Sequence, residues 1–431
     1  MDWIISLTFV IHQKHHPTMF EPTPTDPYAA LRFPEFRFYV VNSFLLTAGL
    51  LVQEVVIGYE IYKLTHDPLS LGLVGLAEAL PYISIALFGG YLADRLDKRR
   101  VMQTALLVII ACSVVLYMTF RPDMLVLTVS ERLILIYSIL VLIGAAKGFY
   151  SPASSSMKPQ LVPRHLYANS SAWSSQFWQA GSICGPAIAG FLYVSIGLTN
   201  TLAVVVAATV VGWVSLSMIS PKPSPPVETK ENIWVSLREG IRFVYDTKII
   251  FYSISLDLVS VLFGGVIAIL PIFAEDILHV GAEGLGIMRA APSVGAVLTM
   301  FALTRYPPTR HAWRNMLLAV AGFGVFTLVF ALSTNFMLSI IALFMTGAFD
   351  SVSVLVRQTI MQVFPPDNMR GRVNSVNGIF VTSSNELGAF ESGLAAKLFG
   401  TVPSVVGGGV VTLFIVGWVY SRSKELLKVK L

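Results

Sequence analysis

Several ionisable side chains stand inside long apolar segments of this sequence, where a charge is costly. Placing a charged residue at the centre of a hydrocarbon layer costs about 2.5 to 3.5 kcal/mol on insertion scales. Such a residue therefore faces a cavity or a partner of opposite charge, and it can serve as half of an ion pair or as a site that binds and releases a proton. The eight that we take as candidate sites are Glu54, Glu78, Lys147, Asp257, Arg289, Asp350, Arg357 and Glu386.

The composition places these charges in a membrane protein. Hydrophobic residues make up 55% of the 431 residues and charged residues only 13%, whereas soluble domains carry roughly 25% charged residues. A membrane span needs about 20 mainly apolar residues, and we identify twelve such segments. They cover residues 38–63, 70–92, 101–120, 133–157, 167–195, 198–219, 249–274, 282–304, 313–332, 335–361, 373–399 and 402–421.

The basic residues predict the orientation of these spans. If both termini are cytoplasmic, most of the 30 Lys and Arg residues lie in cytoplasmic loops or tails, and only Lys63, Arg121, Arg132 and Lys397 lie in outer loops. This asymmetry is the positive-inside rule. The net charge of +5 therefore reflects topology, and it gives no reason to expect a nucleic-acid partner.

The chain is expected to be an all-α integral membrane protein with two pseudo-symmetric halves. We predict a cytoplasmic tail at 1–37, of which 1–18 could be an extension, a six-helix bundle at 38–219, a cytoplasmic linker with an amphipathic helix at 220–248, a second six-helix bundle at 249–421 and a basic tail at 422–431. A weak internal repeat supports the two halves, because it aligns Glu78 with Arg289, Lys147 with Asp350 and Gly185 with Gly388.

Enzyme chemistry finds little support in the sequence. We find no zinc-type His and Glu helix motif, no nucleophile elbow and no phosphate-cradling loop. The two cysteines, Cys112 and Cys184, lie inside predicted spans and suggest neither a disulfide framework nor a metal site. We therefore expect no enzymatic activity, no metal and no cofactor.

The loop after the second span carries a specific motif. Gly90, Leu92, Ala93, Asp94 and Arg95, followed by Lys98, Arg99 and Arg100, resemble the signature loop G-x-L-A-D-R-x-G-R-[KR]-[KR] of the major facilitator superfamily. Asp97 departs from that pattern, which usually has glycine there, so the backbone turn of the family is in doubt. The resemblance implies twelve helices, alternating access, and a conformational latch formed by Gly90, Asp94, Arg95 and Arg99 with the start of the eleventh helix near Arg370 and Arg372.

The fifth span carries a second motif, GSICGPAIAG. Gly181, Gly185, Pro186 and Gly190 in it resemble the antiporter motif of the exporters in this superfamily. Glycines at i, i+4 and i+9 would thin one helix face, and proline would remove a backbone hydrogen bond. A face used only for helix packing is the alternative. The neighbouring segment is similar to the drug and siderophore exporter branch, which implies proton antiport.

The resemblance also ranks the intramembrane charges. Glu54 is the first candidate for proton coupling, because the middle of the first helix lines the central cavity in this superfamily. Asp257 is the symmetric second candidate, and a structural salt bridge is the alternative role for each. Lys147 and Asp350 could form one such pair, since their helices both line the cavity. Gln53, Phe149, Tyr150, Trp173 and Phe177 are candidates for lining the substrate site, although aromatic residues in a helix bundle also serve as packing.

The function expected from these patterns is secondary active transport. We expect a monomer in the inner (plasma) membrane that exports a small amphipathic molecule of drug or siderophore type in exchange for protons, with the lipid bilayer as its environment. Two alternatives within the superfamily remain, transport of a lysolipid-like substrate and facilitated transport without ion coupling. A receptor that signals without transport is the alternative from another class.

Overall fold

The fold of the protein is given by a computed structural model that describes residues 26–121, 127–222, 233–306, 308 and 311–428. The proposed extension at residues 1–18 lies outside the described residues. The chain is almost entirely helical in the described part. Ten helical stretches there are long and apolar enough to cross a membrane, and the expected all-α membrane class is confirmed.

The first half of the chain forms five helical segments. They are α1 (Pro34–Thr65), α2 (Pro68–Arg95), α3 (Lys98–Thr119), α4 (Val129–Met157) and α5 (Tyr167–Ser217). The second half begins with a short helix and continues with six long ones: α6 (Ile233–Asp246), α7 (Lys248–Gly264), α8 (Gly281–Arg305), α9 (Ala312–Leu332), α10 (Phe336–Val363), α11 (Asp367–Phe399) and α12 (Thr401–Arg422). Three short turns, Ile267–Ile269, Leu270–Ile272 and Phe273–Ile277, extend α7 toward α8.

Helix α5 contains two crossings because the chain reverses inside it at Gly197. This residue has φ 78° and ψ 166°, a backbone conformation open to glycine because it lacks a Cβ atom. Gly181 and Gly185, before the break, contact Thr47 and Ala48 of α1, and Val205, after the break, contacts Gly49 of the same helix. The predicted fifth and sixth spans are therefore two antiparallel parts of α5.

Helix α11 is the most polar of the long helices. It is absent from the ten apolar stretches, because its sequence, DNMRGRVNSVNGIFVTSSNELGAFESGLAAKLF, is rich in Asn, Ser and charged residues. It nevertheless packs along α2 and α7. Together with the two crossings of α5, α11 completes the twelve predicted spans.

Local sequence signals start several of these helices. Thr128 and Glu131 form a capping box at the start of α4, which satisfies backbone N–H groups that have no partner within the helix. Asn335 caps α10 in a similar way, accepting from the backbone N–H of Leu338 at 3.1 Å. Asp97 has φ −60° and accepts from the backbone N–H of Arg99. Asp97 therefore caps α3, and no glycine conformation is needed at this departure from the family pattern.

The internal repeat is visible in how glycines pack. A Cβ atom on Gly144 of α4 would lie 2.1 Å from the carbonyl oxygen of Glu78, and one on Gly347 of α10 would lie 1.9 Å from the carbonyl oxygen of Pro292. Likewise, Gly185 packs on Ala48 of α1 and Gly388 on Val261 of α7. Glycine positions related by the repeat therefore pack closely on corresponding helices in the two halves.

The two halves meet along the pairs α2–α11 and α5–α8. We call the end of the molecule that holds Pro34 and Arg422 the terminal end and the opposite one the far end. Gly72 packs on Gly393, and Gly190 packs on Ala282, both toward the far end. Lys397 of α11 also pairs with Asp67, just before α2, with 2.8 Å between Nζ and Oδ2. These contacts hold the halves together at the far end.

Adding a methyl group at these glycines should open the far end. A Cβ atom would lie 2.2 Å from the carbonyl oxygen of Ala282 in Gly190→Ala and 2.7 Å from Gly72 in Gly393→Ala, so the halves must separate. The test is labelling of a cysteine placed at Ala389, which lines the space between the halves, in a chain without Cys112 and Cys184. A membrane-impermeant thiol reagent applied at the far end should react several-fold faster in both variants.

The matched control is Gly417→Ala. A Cβ atom at that position meets nothing within 4 Å, so the labelling rate should equal that of the parent. Equal rates in all three variants would contradict the role of Gly190 and Gly393 in far-end closure.

Candidate functional site

A cavity of about 240 Å³ lies between the two halves. Its wall combines apolar side chains with four that carry hydrogen-bonding or charged groups. The polar members are Glu54, Glu78, Arg289 and Asn385, and the others include Gly58, Leu71, Val74, Gly75, Val261, Ile267, Pro271 and Ala389. An apolar cavity with a few convergent polar groups is the usual form of a small-molecule site.

An ion pair joins the two halves across this cavity. Nη1 of Arg289, on α8, donates to Oε1 of Glu54, on α1, at 2.9 Å. The Arg289 side chain is 8% exposed and that of Glu54 is 39% exposed, so the arginine is held by protein while the carboxylate faces the cavity. Each of the two residues thus has the partner of opposite charge that it needs to remain charged within a membrane.

A second pair lies next to the first but within one half. Lys147 of α4 binds Glu78 of α2, and both belong to the first half of the chain. Lys147 also lies close enough to Glu54 to act on it electrostatically. Two carboxylates and two cations therefore lie close together, and all of them except Lys147 line the cavity. The suggested pairing of Lys147 with Asp350 is wrong, because close glycine packing of α4 on α2 brings Lys147 to Glu78 instead.

The remaining charges form a buried cluster inside the second half. Asp257 of α7 binds Arg357 of α10, and both side chains are almost fully buried. Asp350 lies near enough to interact electrostatically with both of them, so two carboxylates lie near one guanidinium group. Asp257 and Asp350 line a small void and not the cavity between the halves, and Val261, one turn from Asp257, borders both spaces. The side chain of Glu386 lies outside the described residues.

Three of the proposed substrate-site residues have structural partners elsewhere. Gln53 is buried, and its Oε1 accepts from Oγ of Ser113 on α3 at 2.8 Å. Trp173 donates from Nε1 to the carbonyl oxygen of Pro27 at 2.8 Å, and Phe177 packs beside the Trp173 ring. Gln53 therefore binds α3, Trp173 binds the segment before α1, and Phe177 packs on Trp173. None of the three lines the cavity between the halves.

The other two proposed residues line different hollows. Phe149 borders a groove between α3 and α4. The Tyr150 hydroxyl accepts from Nδ2 of Asn42 at 2.6 Å, and Tyr150 lines a polar pocket on the first half. Neither residue is among those that line the central cavity.

The expected latch is only partly described. Four latch positions lie outside the part of the chain whose side chains are described, namely Gly90, Asp94, Arg95 and Arg370. Nη2 of Arg99 donates to the backbone carbonyl of Ser217 at 2.5 Å, which ties α3 to the end of α5. Arg372 binds Glu239 of the linker helix α6. The two described arginines thus contact elements of their own halves in this conformation.

The antiporter motif serves two helix interfaces. Gly181 and Gly185 pack on α1, whereas Gly190 packs on Ala282 of α8, in the other half. Pro186 contributes its carbonyl oxygen to the contact with Gly286 of α8. The expectation of one thinned face is wrong, because positions i and i+9 lie about 180° apart around a helix with 3.6 residues per turn.

The sequence pattern did not reveal the polar contacts at the far end. The hydroxyl of Tyr59 donates to Glu275, and that of Tyr62 donates to Asp276. Both tyrosines lie on one face of α1, three residues apart, and the two adjacent acids lie in the turn Phe273–Ile277. The spacing of Tyr59 and Tyr62 was the available signal, but their partners are more than two hundred residues away in the chain.

Removing one member of the Glu54–Arg289 pair should destabilise the protein asymmetrically. Breaking a buried pair costs about 3 to 5 kcal/mol because it leaves one charge without compensation. Glu54→Gln leaves the buried Arg289 alone, whereas Arg289→Gln leaves the more exposed Glu54, which water can reach. We expect the unfolding temperature in detergent to fall most in Glu54→Gln, less in Arg289→Gln, and to recover partly in the double variant.

Asp246→Asn is the matched control, since its partner Arg242 is highly exposed and such pairs contribute about 1 kcal/mol or less. Additive losses in the double variant would mean that Glu54 and Arg289 do not stabilise each other.

Comparisons with known proteins agree with this architecture. The family model described as transmembrane secretion effector matches residues 25–428. The enterobactin exporter EntS of Salmonella typhi is 25% identical over 402 residues, covering 89% of this chain and 92% of that protein. The same exporter of Shigella boydii is 25% identical over 393 residues, with 89% and 90% covered.

A solved structure shares the fold. The bacterial homologue of the human lysosomal transporter Spinster, in an inward-facing and unoccupied conformation, has a TM-score of 0.70 at 16% identity and covers 94% of this chain and 98% of its own. The helix arrangement, the two motifs and the family match over nearly the whole chain lead to one assignment: the protein is a membrane transporter of the major facilitator superfamily and belongs to its transmembrane secretion effector family.

Proposed function

We propose that the protein exports a small amphipathic molecule of the siderophore class in exchange for protons. Two relatives that cover most of the chain are named as exporters of enterobactin, and the family is described as secretion effectors. At 25% identity these names support a class of substrate rather than one compound. The cavity between the halves is the place where such a molecule would bind.

The observation that carries the proposal is the Glu54–Arg289 pair. It is an ion pair that links the two halves and also lines the cavity. A proton on Glu54 would cancel its negative charge and weaken its attraction to Arg289. A substrate in the same cavity would compete for the same groups. Proton binding and substrate binding are then linked through one pair of side chains, as an exchange mechanism requires.

The neighbouring charges suit this role. Glu78 and Lys147 neutralise each other within the first half, so they can remain paired while the halves move. Asp257, Asp350 and Arg357 are enclosed within the second half, where they can act as a second proton site. The pair that would change with each transport cycle is the one whose members belong to different halves.

The distribution of basic residues supports an orientation in the membrane, and the far-end contacts then support a conformational state. We propose that both termini are cytoplasmic and that the protein lies in the inner membrane, as the distribution of basic residues predicts. The far end then faces outward, and its closure corresponds to an inward-facing conformation. The similarity to an inward-facing transporter structure is consistent with this assignment.

The proposal can be tested with purified protein in proteoliposomes. Export of a panel of siderophores and dyes is first compared between cells with and without the protein, which identifies a transported compound. Its uptake into proteoliposomes that contain the purified protein is then measured with an imposed pH gradient. We expect the Glu54→Gln, Arg289→Gln double variant, which avoids an uncompensated buried charge, to lose gradient-driven transport by roughly ten-fold while keeping exchange down a substrate gradient.

The control variant is Glu131→Gln. Glu131 lies in the capping box of α4, where glutamine also functions, so coupled transport should be unchanged. Full gradient-driven transport in the double variant would remove Glu54 from the coupling mechanism. Transport by the parent that ignores the pH gradient would identify an uncoupled facilitator instead.

A further inference from the structure

A second pocket, of about 330 Å³, lies on the first half of the chain. We call it the hydroxyl pocket, because most of its wall carries hydroxyl groups. It lies between α1, the end of α4 and the start of α5. Its lining residues are Tyr39, Ser43, Leu46, Thr47, Tyr150, Ser151, Ser154, Ser155, Lys158, Ser174, Ser175 and Trp178.

The hydroxyl pocket is distinct from the central cavity, with which it shares no lining residue. Ser43 precedes Glu54 by eleven positions on α1, which is about 16 Å along a helix, so the pocket lies nearer the terminal end. The lining residues belong to the first half of the chain. A ligand in this pocket would therefore contact that half before it reached the Glu54–Arg289 pair.

Six hydroxyl groups of this pocket lack a hydrogen-bond partner among the described residues. Elsewhere on the same helices, hydroxyls bind the backbone one turn earlier. Ser138 of α4 donates to the carbonyl of Ile134 at 2.8 Å, and Ser182 of α5 donates to that of Trp178 at 3.1 Å. The six hydroxyls that make no such bond are those of Ser43, Thr47, Ser151, Ser155, Ser174 and Ser175.

Unpartnered hydroxyls at one place in a membrane protein indicate a wet or ligand-binding surface. Polar groups within the hydrocarbon region are costly unless they find partners. The Oγ atom of Ser174 is itself shielded from solvent without a hydrogen bond. A molecule with many oxygen atoms could bond to several of these hydroxyls at once, because each hydroxyl both donates and accepts.

The charge of the pocket is carried by Lys158. This residue directly follows α4, and its ammonium group forms no ion pair with the described part of the chain. The carboxylates of the protein are not among the lining residues. Trp178, whose side chain is 53% exposed, adds an aromatic surface at the same pocket, on which a flat ligand can stack.

We propose that the hydroxyl pocket binds an anionic, oxygen-rich group, with Lys158 as its counter-ion and the serine and threonine hydroxyls as its hydrogen-bond partners. In a transporter with the function proposed above, on which this step rests, the pocket is an initial binding site for an anionic part of the substrate. The same chemistry belongs to soluble aromatic acids and to anionic lipid headgroups. The substrate class is therefore anionic and oxygen-rich.

The test compares matched ligands that differ in charge. Gallate and its uncharged methyl ester represent the soluble source, and lysophosphatidylglycerol and zwitterionic lysophosphatidylcholine represent the lipid source. Dissociation constants are measured with purified protein in a neutral detergent, from the rise in unfolding temperature with ligand concentration. We expect the anionic member of one pair to bind roughly ten-fold more tightly, as for a charge-assisted hydrogen bond.

Substitutions of pocket residues test whether the preference for the anionic ligand arises in the hydroxyl pocket. Lys158→Gln should abolish the preference for the anion and leave binding of the neutral member unchanged, and Lys158→Arg should retain the preference. Ser151→Ala with Ser155→Ala should weaken both members of the pair, whereas Ser138→Ala, on the same helix but bonded to its own backbone, should weaken neither.

The outcome also identifies the source of the ligand. A Lys158-dependent preference in the gallate pair supports a soluble substrate, and one in the lipid pair supports a headgroup. The absence of a Lys158-dependent preference in both pairs overturns the inference. This binding result does not depend on transport, so failure here leaves the exporter proposal standing, and loss of exchange in proteoliposomes leaves the pocket standing.

Discussion

The structure depends on the need to compensate charges that lie within the membrane. The hydrocarbon region offers no water that could stabilise an isolated ion. The protein compensates six of its intramembrane charges by pairing them locally. Two of these pairs, Glu78–Lys147 and Asp257–Arg357, lie within single halves and so can persist in any arrangement of those halves. Glu54–Arg289 is different, because its members belong to opposite halves. Two pairs are thus independent of how the halves are arranged, and one pair is sensitive to their relative position.

Close backbone packing gives the halves their rigidity. Membrane helices gain little from the hydrophobic effect when they meet, so small residues that allow near contact take its place. Within the halves, Gly144 and Gly347 bring α4 onto α2 and α10 onto α8. Between the halves, Gly72, Gly190 and Gly393 make comparable contacts toward the far end. Hydrogen bonds from Tyr59 and Tyr62 to neighbouring acids add to the latter set, and these groups must separate if that end is to open.

Much of the fold could be predicted because its signals are local. Long apolar runs marked nearly every span, and a single glycine, Gly197, explains why two predicted spans form one helical segment with a reversal. Asp97 was an apparent departure from a family pattern, yet it caps α3 with an ordinary backbone conformation. The site was harder to predict. Residue type identified Glu54, Arg289, Glu78 and Lys147 as intramembrane charges, but Lys147 binds a carboxylate other than the one proposed for it, and Gln53 faces Ser113 instead of the cavity.

The sequence by itself therefore determined the membrane setting, the helices and which ionisable groups had to be compensated, because these follow from composition and from interactions within a few turns. Only the tertiary structure decided which charge meets which, which aromatic side chains line a cavity and which hydroxyls remain unpartnered. The physical reason is that those outcomes depend on the rotation of each helix about its axis and on contacts between residues far apart in the chain. Arg289 and Glu54 are separated by 235 positions, and their meeting follows from the packing of two halves.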